Sequence, residues 1–214
     1  MKKYRWKLEY SVTIYILLGI ILLLVPLHIE NYWQARMITR WNDKYEKISY
    51  MFSVINAQKD EEILESFAKA NSTELREKML FQIVKPYLRI SQPNKYPKRY
   101  KPKFANGVRV SKNSEYYFSD LYFSEKKLTI IGLKDVLNSD ANDGIWFMMM
   151  VDINGLLPPN TWGRDIFGLY ILDEGHIEPF GYNLSAENVV SDCSKNGLGI
   201  GCSYYYLIGG EFND

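Results

Sequence analysis

The sequence predicts an α+β protein in which one long N-terminal helix precedes a mainly antiparallel β-sheet. Three observations predict it. Twenty consecutive residues, Tyr10 to Ile29, carry no formal charge. Beyond them, Asn31 to Ala57 contains no glycine or proline, and Trp33, Met37, Trp41, Tyr45, Ile48, Phe52 and Ile55 recur at steps of three or four, the spacing of one helix face. The second half consists instead of β-branched and aromatic runs separated by turn residues.

The bulk numbers conceal this division. A chain of 214 residues, 47% hydrophobic and 24% charged, is packable rather than disordered. A net charge of +1 gives no general case for a nucleic-acid binder. A mean hydropathy of −0.25 suggests a soluble protein only because it averages unlike segments.

The first eight residues form a basic tip. Lys2, Lys3, Arg5 and Lys7 precede the first acid, Glu9. Residues 9–29 read as a transmembrane helix, since about twenty residues at ~1.5 Å each span a ~30 Å hydrocarbon layer. A buried core helix would show a polar face, and the Ile14–Val25 stretch has none. A cleaved signal peptide would show a small-residue cleavage site, and Pro26-Leu27-His28-Ile29-Glu30 offers none. The positive-inside rule keeps the basic tip cytoplasmic and exports the rest, with Trp6, Tyr10, Tyr32 and Trp33 placed as interfacial aromatics. Setting aside the four leading cations and Glu9 leaves 22 basic against 24 acidic residues in the exported part.

Residues 30–57 continue the helix, which would run from about Leu8 to Ala57 for roughly 75 Å. Pro26 should kink it or loosen one turn rather than end it. Residues 58–214 form the exported α+β head. Lys59-Asp60-Glu61-Glu62 reads as a solvated turn or helix start. A second helix begins at Asn71 or Ser72, with Glu74 as capping partner, and runs through Leu75, Met79, Ile83 and Tyr87 with Pro86 in its last turn. Ser91 to Phe104, with three prolines and five cations, is an extended loop. Strands are predicted at Tyr116–Phe123, Leu128–Leu133, Ile145–Val151, Ile166–Leu172 and Tyr204–Ile208, with turns at Asn154-Gly155, Asp173-Glu174-Gly175 and Gly209-Gly210. The connections are too short for crossover helices, so pairing should be mainly antiparallel.

Two cysteines, Cys193 and Cys202, lie nine positions apart around a glycine-rich segment. In an exported chain they read as a disulfide staple worth ~2–3 kcal/mol. A zinc site would have only His28 and His176 to complete it, and a redox pair is more often spaced Cys-x-x-Cys.

These features resemble the type IV pilin and type II secretion pseudopilin superfamily. One stretch is Glu9 and Pro26, seventeen apart and bracketing the apolar run. The other is Val151-Asp152-Ile153-Asn154-Gly155, then Pro159-Asn160-Thr161-Trp162-Gly163-Arg164-Asp165-Ile166-Phe167, then Gly175, Pro179, Gly181 and the two cysteines. It looks like the Asp-x-Asn-Gly, Pro-Asn, Gly-x-Asp-x-Phe and two-cysteine tail of bacterial pilin-like proteins. Together they cover about a third of the chain; residues 58–144 carry no part of it. The prepilin cleavage signal is degenerate, with Tyr4 where the family has glycine and Arg5 where the new N-terminus would begin.

The resemblance implies a single-pass inner-membrane protein with a cytoplasmic N-terminus and a head in the periplasm or at the cell surface. Its work would be assembly of a type II secretion pseudopilus or type IV pilus-like fibre. Its partners would be the inner membrane, other pilin-like subunits and the secretion machinery. The alternative is an uncleaved, non-polymerising anchored accessory or ligand- or cargo-binding module with the same fold. Glu9 would set register by pairing with a neighbour's cation, or else lie solvated among headgroups. Pro26 would give the helix flexibility. Asp152, Asn154, Gly155, Pro159, Asn160, Gly163, Asp165 and Phe167 would shape the motif turn. Asn154-Gly155 reads as a hairpin turn; the other reading gathers oxygens of Asp152, Asn154, Asn160 and Asp165 around Ca2+, the one cofactor the sequence raises.

Two further classes are weighed. The Lys95–Lys103 stretch has the lysines and tyrosines of a strand-binding loop, but such loops are more often solvated, and no nucleic acid is expected. No Gly-x-Ser-x-Gly, His-Glu-x-x-His or P-loop occurs, and His176 beside Glu174 fits a turn better than a general base. Neither catalysis nor a small-molecule substrate is expected.

Overall fold

The structure is a computed structural model. It describes residues 2–58, 69–70, 72–90, 100–124, 128–136, 144–172 and 175–212, with the side chains of 2–9 and 23–31 outside that description. The charge cluster at 59–62 and most of the basic loop lie outside the described residues. The chain divides into two compact units, residues 1–39 and 40–214.

Helix α1 spans Lys2–Gln58 and continues through Glu9 and Pro26. In the first unit, the side chains of Ile14, Tyr15, Ile16, Leu17, Leu18, Ile20, Ile21 and Leu22 are all exposed, on every side of the helix. Among the described residues no helix is long and apolar enough to cross a membrane; the uncharged run is described at the side-chain level only as far as Leu22.

In the second unit the expected stripe is buried at Trp41, Ile48, Phe52 and Ile55, joined by Met51. It packs on a five-stranded sheet of order β1-β2-β3-β4-β5, formed by Leu121–Ser124, Thr129–Asp135, Ile145–Asp152, Ile166–Leu172 and Ile177–Pro179. Every neighbouring pair is antiparallel. Such a meander follows from connections too short to cross over.

The pleat divides the core in two. One face carries Tyr122, Ile131, Val151 and Phe167. There Phe167 stacks on Trp41 of α1, with centroids 4.6 Å apart. Tyr122 stacks on Phe81 of α2, which spans Thr73–Leu88. The other face carries Ile130, Met148, Met150 and Ile166 beneath Tyr100, Phe104, Phe118, Trp162, Phe180 and Ile200. Phe118 lies so close over Gly132 that a Cβ there would meet it at 2.9 Å. That approach bends 116–118 out of the sheet, so the strand predicted from Tyr116 begins only at Leu121.

Helix α2 is capped by Ser72, the second of the two expected starts, so the residue three beyond the cap is Leu75 and not Glu74. Ser72 Oγ accepts from Leu75 N at 3.2 Å. Its buried face differs from the predicted Leu75–Tyr87 stripe, being Arg76, Leu80, Phe81 and Val84. An arginine anchors it: Arg76 Nη2 and Nε donate to Asp135 Oδ2 at 2.6 and 2.9 Å, and Nη1 to Ala70 O at 2.9 Å. A stripe counted from apolar residues alone passes over that position.

The predicted strand at Tyr204–Ile208 is helical instead. Cys202–Tyr205 forms α4, followed by a 3-10 turn over Tyr206–Ile208. The Cys193–Cys202 disulfide and the Tyr204 and Tyr205 amides bonded back to Gly201 O coil the segment where its aromatic composition favours a strand. Helix α3, Ala186–Asp192, capped by Ser185 Oγ, precedes it.

Candidate functional site

The motif residues gather in the β3–β4 connection. Since Asp152 pairs with Ile166, residues 153–165 form a long loop rather than a two-residue hairpin turn. Gly155 has φ +70° but Asn154 does not share a positive φ, and a type I′ turn requires both. Asp152 instead makes an Asx-type turn, its Oδ1 accepting from Asn154 N at 3.1 Å.

Two carboxylates brace the loop from inside. Asp165 accepts from Asn160 N at 2.8 Å and Thr161 N at 2.6 Å. Asp152 Oδ2 accepts from the Tyr100 hydroxyl at 3.0 Å. Both carboxylates are fully buried. Burial pushes Asp165 up to about 6, against the pull of the Thr161 and Asn160 amides. Burial, and then the charge of Asp165, raises Asp152 well above the usual carboxylate range, against the Tyr100 hydroxyl and the Asn154 and Gly155 amides. Two buried like charges resist joint ionisation unless a proton or a cation lies between them.

Asn160, in the left-handed region at φ +50°, directs its amide at Gly155 O and Asp152 Oδ2. With its NH2 turned that way it donates to them at 3.0 and 3.2 Å. With its oxygen turned that way three oxygens converge, and a proton on Asp152 or a cation must lie between them. Asn154 Oδ1 is buried without a hydrogen-bond partner. The donor set thus suits a hard, oxygen-seeking ion, though no group of three or more His, Cys, Asp or Glu gathers among the described residues.

The remaining motif residues join this loop to its surroundings. The Pro158–Pro159 bond is cis. Gly163, at φ +79°, lies against the tail: a Cβ there would meet Cys202 Sγ at 2.6 Å and Gly199 O at 2.8 Å. The Tyr206 hydroxyl donates to Gly163 O at 2.7 Å. Phe167, the second residue of β4, carries the stack onto Trp41. The disulfide predicted from the cysteine pair is present between Cys193 and Cys202. Asp192 pins its loop, accepting from Leu198 N at 3.0 Å and Gly201 N at 2.6 Å.

Of the predicted site residues, Asp152, Asn154, Gly155, Asn160 and Asp165 meet in one place, while Gly163 and Phe167 link it to the tail and to α1. Glu9 and Pro26 lie on α1 with their side chains outside the described residues. Sequence reasoning missed Tyr100. An extended loop over 91–104 gives it no role, yet it is buried on Asp152; only its place in a run with Phe104 hints at a core position. Trp41 Nε1, donating to Ser203 O at 2.9 Å, was likewise unforeseen. No family model, curated protein or solved structure matches the chain.

Proposed function

We propose that the chain is a membrane-anchored, pilin-like subunit that acts in assembly of a type II secretion pseudopilus or type IV pilus-like fibre. One observation carries the reading. From Ile14 to Leu22 the helix presents apolar side chains to its surroundings on all sides, and a helix apolar all round needs either lipid or other helices about it. The antiparallel head with its late disulfide loop and the braced Asp152–Asp165 connection agree with that role. The motif connection acts as a joint that fixes the tail, the sheet and α1 to one another. Its two carboxylates and two amide side chains would hold Ca2+ outside the cytoplasm.

Co-purification of the tagged chain with fibre or secretion-complex components, lost on Glu9→Ala, tests assembly; an unaltered yield removes Glu9 from register-setting. Mass spectrometry of the mature chain discriminates the alternative, since an intact Met1 favours the uncleaved accessory module suggested by Tyr4 and Arg5. Equal melting temperatures in calcium and in chelator dismiss the ion.

A further inference from the structure

The β1–β2 turn and the β3–β4 connection leave the sheet at the same end, where Ser124 pairs with Thr129 and Ile130 with Asp152. Three leucines at that end are open to solvent: Leu128 at 57%, Leu156 at 44% and Leu157 at 63%. Scattered singly, such residues need no explanation, but three at one end of a sheet, two of them adjacent, mark a contact surface.

Cations flank the same connection. Lys103 N donates to Asn160 O at 3.0 Å, and Lys103 O accepts from Trp162 N at 2.9 Å, so residues 100–104 run beside it. They alternate: Tyr100, Pro102 and Phe104 are buried, while Lys101 and Lys103 are exposed, the pattern of extended chain with one face covered. Arg109, also exposed, lies opposite Lys103 across an antiparallel bridge. Like charges so opposed repel, and none of the three cations makes an ion pair among the described residues. An anion from outside the head would relieve that repulsion.

The placement says which surface supplies it. Trp41 stacks on Phe167 near the start of β4, and Asn56 bonds to Gly175 O beyond the other end of that strand. The leucines and cations therefore lie at the end of the sheet where the chain enters the head, coming from the uncharged run. We infer that this end of the head rests on an anionic lipid surface, with Leu156 and Leu157 at the headgroup–acyl boundary and Lys101, Lys103 and Arg109 on the headgroups. Such a contact adds apolar insertion to electrostatic attraction. A nucleic acid would use the cations but leave the leucines in water, and Tyr100, the aromatic beside them, is turned inward onto Asp152 rather than outward to stack on bases. The contact rests on the anchoring proposed above for bringing lipid to the head, and adds to it an attachment that depends on lipid charge.

The test is fluorescence of the full chain in vesicles of phosphatidylcholine, alone or mixed with phosphatidylglycerol. The dye NBD is placed on Leu157→Cys and, separately, on Ser53→Cys, exposed near the far end of α1; the native cysteines are paired. In the mixed vesicles the dye at 157 should shift to the blue and be quenched by lipids spin-labelled on the acyl chain, while the dye at 53 does neither. High salt should reverse the shift. Lys101→Glu/Lys103→Glu/Arg109→Glu should lower the ratio of docked to undocked heads by roughly a hundredfold, about fivefold for each cation, with near-UV circular dichroism unchanged. Should that variant fail to fold, the salt reversal on the native charges carries the test. Flotation with phosphatidylcholine vesicles reads the anchor separately: a chain that floats without a shift at 157 keeps the anchor and loses the contact, and one that floats only with phosphatidylglycerol does the reverse. An equal shift in phosphatidylcholine alone overturns the role of the cations. An unshifted dye at 157, or an equal shift at 53, overturns the contact, and reversal by a single-stranded oligonucleotide at equal phosphate concentration overturns lipid as the occupant.

Discussion

Residues 10–22 and 40–58 belong to one helix, α1, yet they solve opposite problems. Between Trp41 and Ile55 the buried apolar side chains fall on one stripe against the sheet, while Glu46, Lys47 and Tyr50 are exposed. From Ile14 to Leu22 the apolar side chains occupy the whole circumference and none is covered. A stripe can be satisfied within a single chain. A full cylinder cannot, because one sheet face covers only one side of a helix. The difference separates, in one continuous element, apolar surface that the head itself covers from apolar surface that it leaves open.

The largest expected effect breaks the second region and spares the first. Leu17→Arg with Ile21→Arg places two charges in the uncharged run, each costing about 2.5–3.5 kcal/mol on the insertion scale. The double variant should leave the membrane pellet after carbonate extraction while keeping the wild-type near-UV spectrum. Retention in the pellet would show that the run is not what anchors the chain. Trp41→Ala is the converse. Losing a fully buried indole, its stack on Phe167 and its bond to Ser203 O should cost about 3–5 kcal/mol of head stability, read by denaturant unfolding of the full chain in detergent, with membrane retention unchanged. Trp41→Phe, which keeps the stack, should lose about 1 kcal/mol.

Why one region was legible and others were not follows from the same physics. Trp41, Ile48, Phe52 and Ile55 announce themselves because periodicity records burial on one face. Ser72 does so because capping is local, and Cys193 and Cys202 because two thiols around a short glycine-rich loop have few alternatives. Arg76 does not. It is buried because Asp135, fifty-nine residues on, neutralises it, and no local pattern records a distant partner. Tyr100 hides for the same reason, its partner Asp152 being fifty-two residues away. Tyr204–Ile208 misleads because composition favours a strand while the disulfide and the bonds back to Gly201 impose a turn. The motif connection lies between these cases. Its residue types foretold a turn, but the thirteen-residue loop and the shared burial of its two carboxylates depend on register and tertiary packing.

The buried pair gives a smaller effect within the head. Asp165 titrates near 6 in the folded chain against 3.8 for the free group, so the folded state holds its proton more tightly. Its contribution is therefore fully present below about pH 4 and is lost as pH rises through about 6. At about 1.4 kcal/mol per pKa unit the effect is at most about 3 kcal/mol. In chelator the head should melt higher at pH 5 than at pH 7.5. Asp165→Asn should reduce that difference, although Asp152, raised well above the usual carboxylate range by burial, and Glu77, also raised by burial, preserve part of it. Calcium should flatten it too if the ion replaces the proton; an equal slope in chelator, in calcium and in the variant would separate the pH response from this pair.

The smallest effect probes where α1 ends on the sheet. Asn56 Nδ2 donates to Gly175 O at 2.9 Å, joining the last turns of α1 to the β4–β5 turn. Removing a hydrogen bond of this kind costs about 1 kcal/mol. Asn56→Ala also removes Oδ1, which is buried without a partner, so the two terms offset and the net loss should fall below that figure. Gly175 adds a second constraint. It lies at φ +73°, and a Cβ there would meet Asn56 Oδ1 at 2.3 Å. Gly175→Ala therefore suffers both a left-handed backbone and a clash, and only the clash depends on Asn56. In a double-mutant cycle, Gly175→Ala should cost less in the Asn56→Ala background by the energy of that clash, while about 1 kcal/mol of backbone strain remains in both. Strict additivity would mean that the helix end and the turn are not in contact at Asn56, and that the stripe from Trp41 to Ile55 alone holds α1 to the sheet.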